Sequence, residues 1–88
     1  MFIQGNYNFS GIEISDAIGY VVNLRFRDHT EMFFQLPIYA TAAQVEASQP
    51  LAVASYFCPY DPAAGGVYAQ CYTYLLTLPE YDGWVEIP

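Results

Sequence analysis

Ile18-Gly19-Tyr20-Val21-Val22-Asn23-Leu24-Arg25-Phe26-Arg27 is the stretch whose reading decides the fold. Ile18, Tyr20, Val22, Leu24 and Phe26 take every second position, the period of a strand with one buried face. Asp28-His29-Thr30 is a polar turn, and beyond it the same parity continues in Met32, Phe34, Leu36 and Ile38. Two such runs joined by so short a polar segment predict an antiparallel hairpin. In a tight hairpin Arg25 and Arg27 share a face with Glu31, and opposite charges across strands help to fix register. Pro37 cannot donate to a ladder, so the second strand is expected at a sheet edge or with a bulge there.

Outward from that hairpin, Ile3, Tyr7 and Phe9 alternate with Gln4, Asn6 and Asn8 as a half-buried strand. Ser10-Gly11 is a turn, with Ile12 and Ile14 as a short continuation. Thr41, with Gln44 three residues on, has the form of a capping box for a short helical patch ending by Gln49-Pro50. Leu51 to Cys58 is an apolar run of strand length that suits a central strand. After the breaker-rich Pro59 to Gly66, Val67 to Leu78 reads as the one substantial helix, stopped by Pro79. Tyr68, Cys71, Tyr72 and Leu75 share one of its faces, opposite Gln70, Thr73 and Thr77. The fold expected is α+β: one domain over 1–88, an antiparallel sheet of three to four strands with one C-terminal helix packed on a face.

Composition sets the functional bounds. The chain has 88 residues, 55% of them apolar, with nine Tyr, six Phe and one Trp. Lysine is absent, Arg25 and Arg27 are the only cations, and the net charge is −7. A chain this short buries only about 60–65% of the surface it exposes when unfolded. Some aromatics must therefore stay outside, where Tyr favours partner contacts. Two arginines cannot neutralise a nucleic-acid backbone, so no nucleic-acid partner is expected. The scattered carboxylates do not imitate a row of phosphates. No stretch approaches the ~20 apolar residues of a membrane span. The N-terminus lacks the basic start and apolar run of a signal peptide, so Asn8-Phe9-Ser10 is not expected to be glycosylated despite its pattern.

Chemistry is thinly supplied. His29, the only imidazole, lies in a turn with no nucleophile beside it in sequence. No carboxylate pair is placed where burial would raise a pKa. Gly65-Gly66 precedes a helix but lacks the Lys and glycine pattern of a phosphate loop. Cys58, Cys71 and His29 are too few for a zinc site. The two cysteines read as buried free thiols, or as a disulfide if strand and helix juxtapose them. No catalytic residue, cofactor or metal is expected, and the chain reads as a non-enzyme.

The aromatics divide by face. Tyr20, Phe26, Phe34, Tyr68 and Tyr72 fall on inward faces and are expected in the core. Phe33, Tyr39, Tyr60, Tyr74, Tyr81 and Trp84 fall on outward faces, in loops or in the tail, and are the candidate interface. Tyr81 and Trp84 lead that set, because a short tail beyond Pro79 is not expected to bury them.

Asn8-Phe9-Ser10-Gly11-Ile12-Glu13-Ile14-Ser15-Asp16-Ala17-Ile18-Gly19-Tyr20 and the segment from Val67 to Tyr81 resemble the two ends of a group of small tailed-bacteriophage virion proteins. In that group an N-terminal hairpin of the form F-x-G-(I/L)-x-(I/V) leads to a closing helix that ends in T-L-P-E-F. This chain has Thr77-Leu78-Pro79-Glu80-Tyr81 there, with Leu76 where the group carries Lys, so a basic contact at the helix end does not carry over. The resemblance implies a structural subunit of the virion, assembled in the host cytoplasm. It implies docking on other virion proteins of the tail, baseplate or neck rather than capsid decoration. Self-association as a homo-oligomer is a further expectation. The alternative is a soluble acidic phage inhibitor that engages a basic site on a host defence protein.

Overall fold

Glu31–Tyr39 is the hub strand of a six-stranded antiparallel sheet. The computed structural model describes residues 1–88, in the order β1 (Phe2–Phe9), β2 (Ile12–Gly19), β3 (Val22–Phe26), β4 (Glu31–Tyr39), α1 (Ala42–Glu46), β5 (Ala52–Pro59), α2 (Val67–Leu75), a 3₁₀ turn (Pro79–Tyr81) and β6 (Val85–Ile87). Along one edge β4 pairs with β5 without a break, from Glu31↔Pro59 to Ile38↔Ala52. Along its other edge it pairs first with β3 and then, at Ile38 and Tyr39, with the end of β2. β2 continues to β1, and β1 to β6. The fold is α+β with an antiparallel sheet, as expected, but with six strands and two α-helices rather than three to four strands and one helix.

The hairpin at Asp28-His29-Thr30 forms as read. The Asp28 carboxylate accepts from the Thr30 backbone N–H at 2.7 Å and from its hydroxyl at 2.8 Å, which holds the Asp28 pKa below the ordinary carboxylate value. Arg27 and Glu31 meet across the turn at 2.9 Å. The run from Ile18 to Phe26, however, is two strands. β2 leaves the ladder after Gly19, and β3 begins at Val22. Between Val22 and Arg25 the register shifts, with Asn23 at φ 54°, a left-handed conformation that Asn tolerates. Parity therefore changes along the stretch. Val21 is buried, Leu24 only half-buried, and Tyr20 stands on the opposite face.

Pro37 is not at an edge; it sits within the hub strand and is buried. Its missing N–H is harmless because that side of β4 faces the gap where β2 ends and β3 starts. The Pro37 carbonyl accepts there from the Tyr20 N–H at 3.4 Å. The opposite correction applies to Leu51–Cys58. This run forms β5, which pairs only with β4 and is an edge strand.

α2 lies on one face of the sheet, burying Cys71, Tyr72 and Leu75. They join Ile3, Ala17, Val21, Met32, Phe34, Leu36, Ile38 and Cys58 in one apolar cluster. The helix ends at Leu75, three residues before the expected stop. Thr41 caps α1 through the Gln44 N–H at 3.2 Å, while the Gln44 side chain accepts from the Ala40 N–H at 2.9 Å. No helix is long and apolar enough to cross a membrane.

Candidate interaction surface

The six outward aromatics separate into three groups. Tyr81 and Trp84 are core residues, 3% and 6% exposed, which corrects their reading as tail anchors. The chain bends at Pro79–Tyr81 and again at Gly83, whose φ of 84° needs the glycine. That reversal lets β6 pair with β1 and drops both rings onto the sheet. The Trp84 indole donates to the Asn6 carbonyl at 3.0 Å, and the Tyr81 and Tyr56 hydroxyls lie 2.6 Å apart. Burial pushes the Tyr81 phenol well above the ordinary value.

Tyr60 and Tyr74 are half-buried at the rim of the α2 side. Tyr60 packs edge-on against Phe26 at 4.9 Å. Phe26 itself, expected inside, is 54% exposed because it ends β3 at the margin of the sheet. Tyr68, also expected inside, is 49% exposed on the first turn of α2. Tyr74 lines a groove of about 310 Å³ with Cys58, Pro59, Ala64, Ala69, Gln70 and Thr73. Cys58 and Cys71 are free and buried. Burial raises both thiols, Cys71 to about 12.

Phe33 and Tyr39 lie on the face of the sheet opposite α2. Tyr39 meets Tyr20 edge-on at 6.4 Å, and Tyr20 meets Phe2 at 5.4 Å. Phe33 belongs to a cross-strand row set by register: Arg25 on β3, Phe33 on β4, Phe57 on β5. The Phe33 and Phe57 rings are 5.3 Å apart, and the Arg27 guanidinium lies 5.0 Å from the Phe57 centroid. Val53, farther along β5 on the same face, is 54% exposed and Phe57 is 49% exposed. Both cations of the chain thus flank the same aromatic pair. Arg27 is held by Glu31, whereas Arg25 has no ion pair.

Sequence reasoning placed Phe33 and Tyr39 on this face but missed Val53, Phe57 and the arginines beside them. Reading Leu51–Cys58 as a central strand hid them. Pro50 and Pro59, which bracket the run, were the available sign of an edge. At the end of the sheet formed by β1, β2 and β6, a smaller polar recess of about 260 Å³ is lined by Asp16 and Asp82. No three His, Cys, Asp or Glu side chains come together anywhere in the fold. The arrangement around Phe33 and Phe57 is suited to recognition: a flat apolar centre, two guanidiniums and an exposed strand beside it.

No family profile, curated protein or solved structure matches this chain.

Proposed function

We propose that the chain is a small structural subunit of a tailed-bacteriophage virion, docking on other virion proteins of the tail, baseplate or neck. The reading rests on the resemblance of its two ends to small virion proteins and on one structural observation. That observation is the open sheet face built on Arg25, Phe33, Phe57 and Val53. A monomeric domain gains nothing by leaving Phe57 and Val53 about half exposed beside Phe33, whereas a subunit that packs against neighbours does. Aromatic and arginine side chains are also those that carry most binding energy at protein contacts.

The decisive measurement is quantitative mass spectrometry of particles purified from infected cells. The proposal requires the chain in the particle at a fixed copy number. Finding it only in the lysate of infected cells overturns the proposal and favours the inhibitor reading. A second measurement localises the docking face. Phe57→Ala and Arg25→Glu should lower incorporation while the purified variants melt close to wild type. Unchanged incorporation would remove this face from the assembly contact.

A further inference from the structure

We infer that β5 is a self-pairing edge, and that two copies of this chain join antiparallel through it into one continuous sheet. This goes beyond the virion reading and does not depend on it.

The backbone supplies the first argument. Along an antiparallel ladder, successive residues point their N–H and C=O groups to alternate sides. Tyr60, just past β5, donates to Thr30 of the β4 side at 2.8 Å, in register with the pairs from Met32↔Cys58 to Ile38↔Ala52. The even-numbered residues of β5 therefore serve β4. Val53, Ser55 and Phe57 turn their backbone groups outward, where the fold provides no partner strand.

The second argument is self-complementarity. With a two-fold axis at Ser55, Ser55 faces Ser55 of the second copy and Val53 faces Phe57. The outward groups then close about six backbone hydrogen bonds. On the other face Ala54 comes opposite Tyr56, small against large. Neighbouring centres do less well: an axis at Tyr56 brings Pro59, which has no N–H, into the ladder, and one at Ala54 brings in Leu51, whose N–H is already donated to the Ile38 carbonyl at 2.7 Å. Val53 and Phe57, each about half exposed, become cross-strand neighbours twice over.

Self-complementarity selects a second copy as the occupant, and charge leaves this edge free for it to approach. The chain carries a net charge of −7, so copies repel over most of their surface. Yet Ala52–Pro59 contains no charged residue, and both arginines lie on the lobe beside it. Pro50 and Pro59 limit the pairing segment, and between them the edge lacks the devices that normally block such pairing. It has no lysine, no bulge along its register and no inward charge. The groove between Cys58 and Tyr74 lies open beside it. A seam of this length is a small interface, so self-association in the micromolar range is expected.

Sedimentation equilibrium on the purified chain tests this, with Ser55→Lys, Ser55→Glu and Val53→Pro beside wild type. Ser55 is exposed and its side chain makes no hydrogen bond that the fold needs, and the Val53 N–H is not used by β4. Circular dichroism melts should therefore stay near wild type. Wild type should reach twice the 9.9 kDa of one chain. Each variant should weaken the dimer at least about tenfold, the two charge variants by placing like charges opposite one another at the axis. Mixing Ser55→Lys with Ser55→Glu should restore a dimer of one copy of each. A wild-type chain that stays monomeric up to about 1 mM overturns the inference. So does an oligomer whose dissociation constant none of the three variants changes.

Discussion

Trp84 lies directly on Gly5: a Cβ built at position 5 would clash with three carbons of the indole ring. The contact joins the last turn of the chain to its first strand, and the indole N–H fixes it by donating to the Asn6 carbonyl. Gly5 is thus the socket that lets the tail close over the core.

Gly5→Ala should destabilise the fold by about 1–3 kcal/mol through overpacking, and Trp84→Ala by about 3–5 kcal/mol. The two should not add. With the indole removed, the alanine at position 5 meets no obstacle, so the double variant should be close to Trp84→Ala alone. Urea denaturation of the four proteins measures this cycle. Simple additivity would mean that Gly5 serves the backbone rather than the tryptophan.

Tyr72 ties three distant segments together. Its hydroxyl accepts from the Val21 N–H at 2.9 Å and donates to the Met1 carbonyl at 3.1 Å. Tyr72→Phe leaves the buried Val21 N–H unpartnered, which should cost about 1–3 kcal/mol. Amide exchange read by NMR should speed up at Val21 more than at residues in the β4–β5 ladder. Equal acceleration at both would point to global destabilisation alone.

Stability should fall on the alkaline side. Burial raises Cys58, Cys71, Tyr56, Tyr72 and Tyr81 above their ordinary values. Above pH 9.0 the unfolded chain releases the Cys71 proton, whereas the native chain keeps it to about 12. The unfolded state then binds fewer protons, so stability contributed by the neutral thiol is complete below pH 9.0 and is lost as the pH rises towards 12. Denaturation midpoints measured from pH 8 to 10 should decline for wild type and less steeply for Cys71→Ala. An identical slope in the two proteins would refute the assignment to this thiol.

The hub strand should outweigh its neighbour. Leu36 is fully buried, and Leu36→Ala should cost about 2–5 kcal/mol. Leu24, half-buried beside the bulge at Asn23, should cost clearly less when changed to Ala. Thermal melts of both variants decide the order. A larger loss at Leu24 would place the mechanical centre of the sheet on β3.

Alternation and turn chemistry determined the local elements. Ile3 to Phe9, the hairpin about Asp28-His29-Thr30, the inward parity of Met32, Phe34, Leu36 and Ile38, the Thr41 cap and the buried stripe Cys71, Tyr72, Leu75 all follow from side-chain period and capping within a few residues. Only the tertiary structure decided which strand is central and which aromatics are outside. Pro37 could occupy the hub because a gap between β2 and β3 happens to face its missing N–H. The apolar run Ala52–Pro59 could lie at an edge because its neighbour on one side is β4 and on the other nothing. Tyr81 and Trp84 became core because Gly83 reverses the chain and Gly5 leaves space for the indole. Each outcome depends on a contact between residues far apart in sequence, and periodicity carries no information about such contacts.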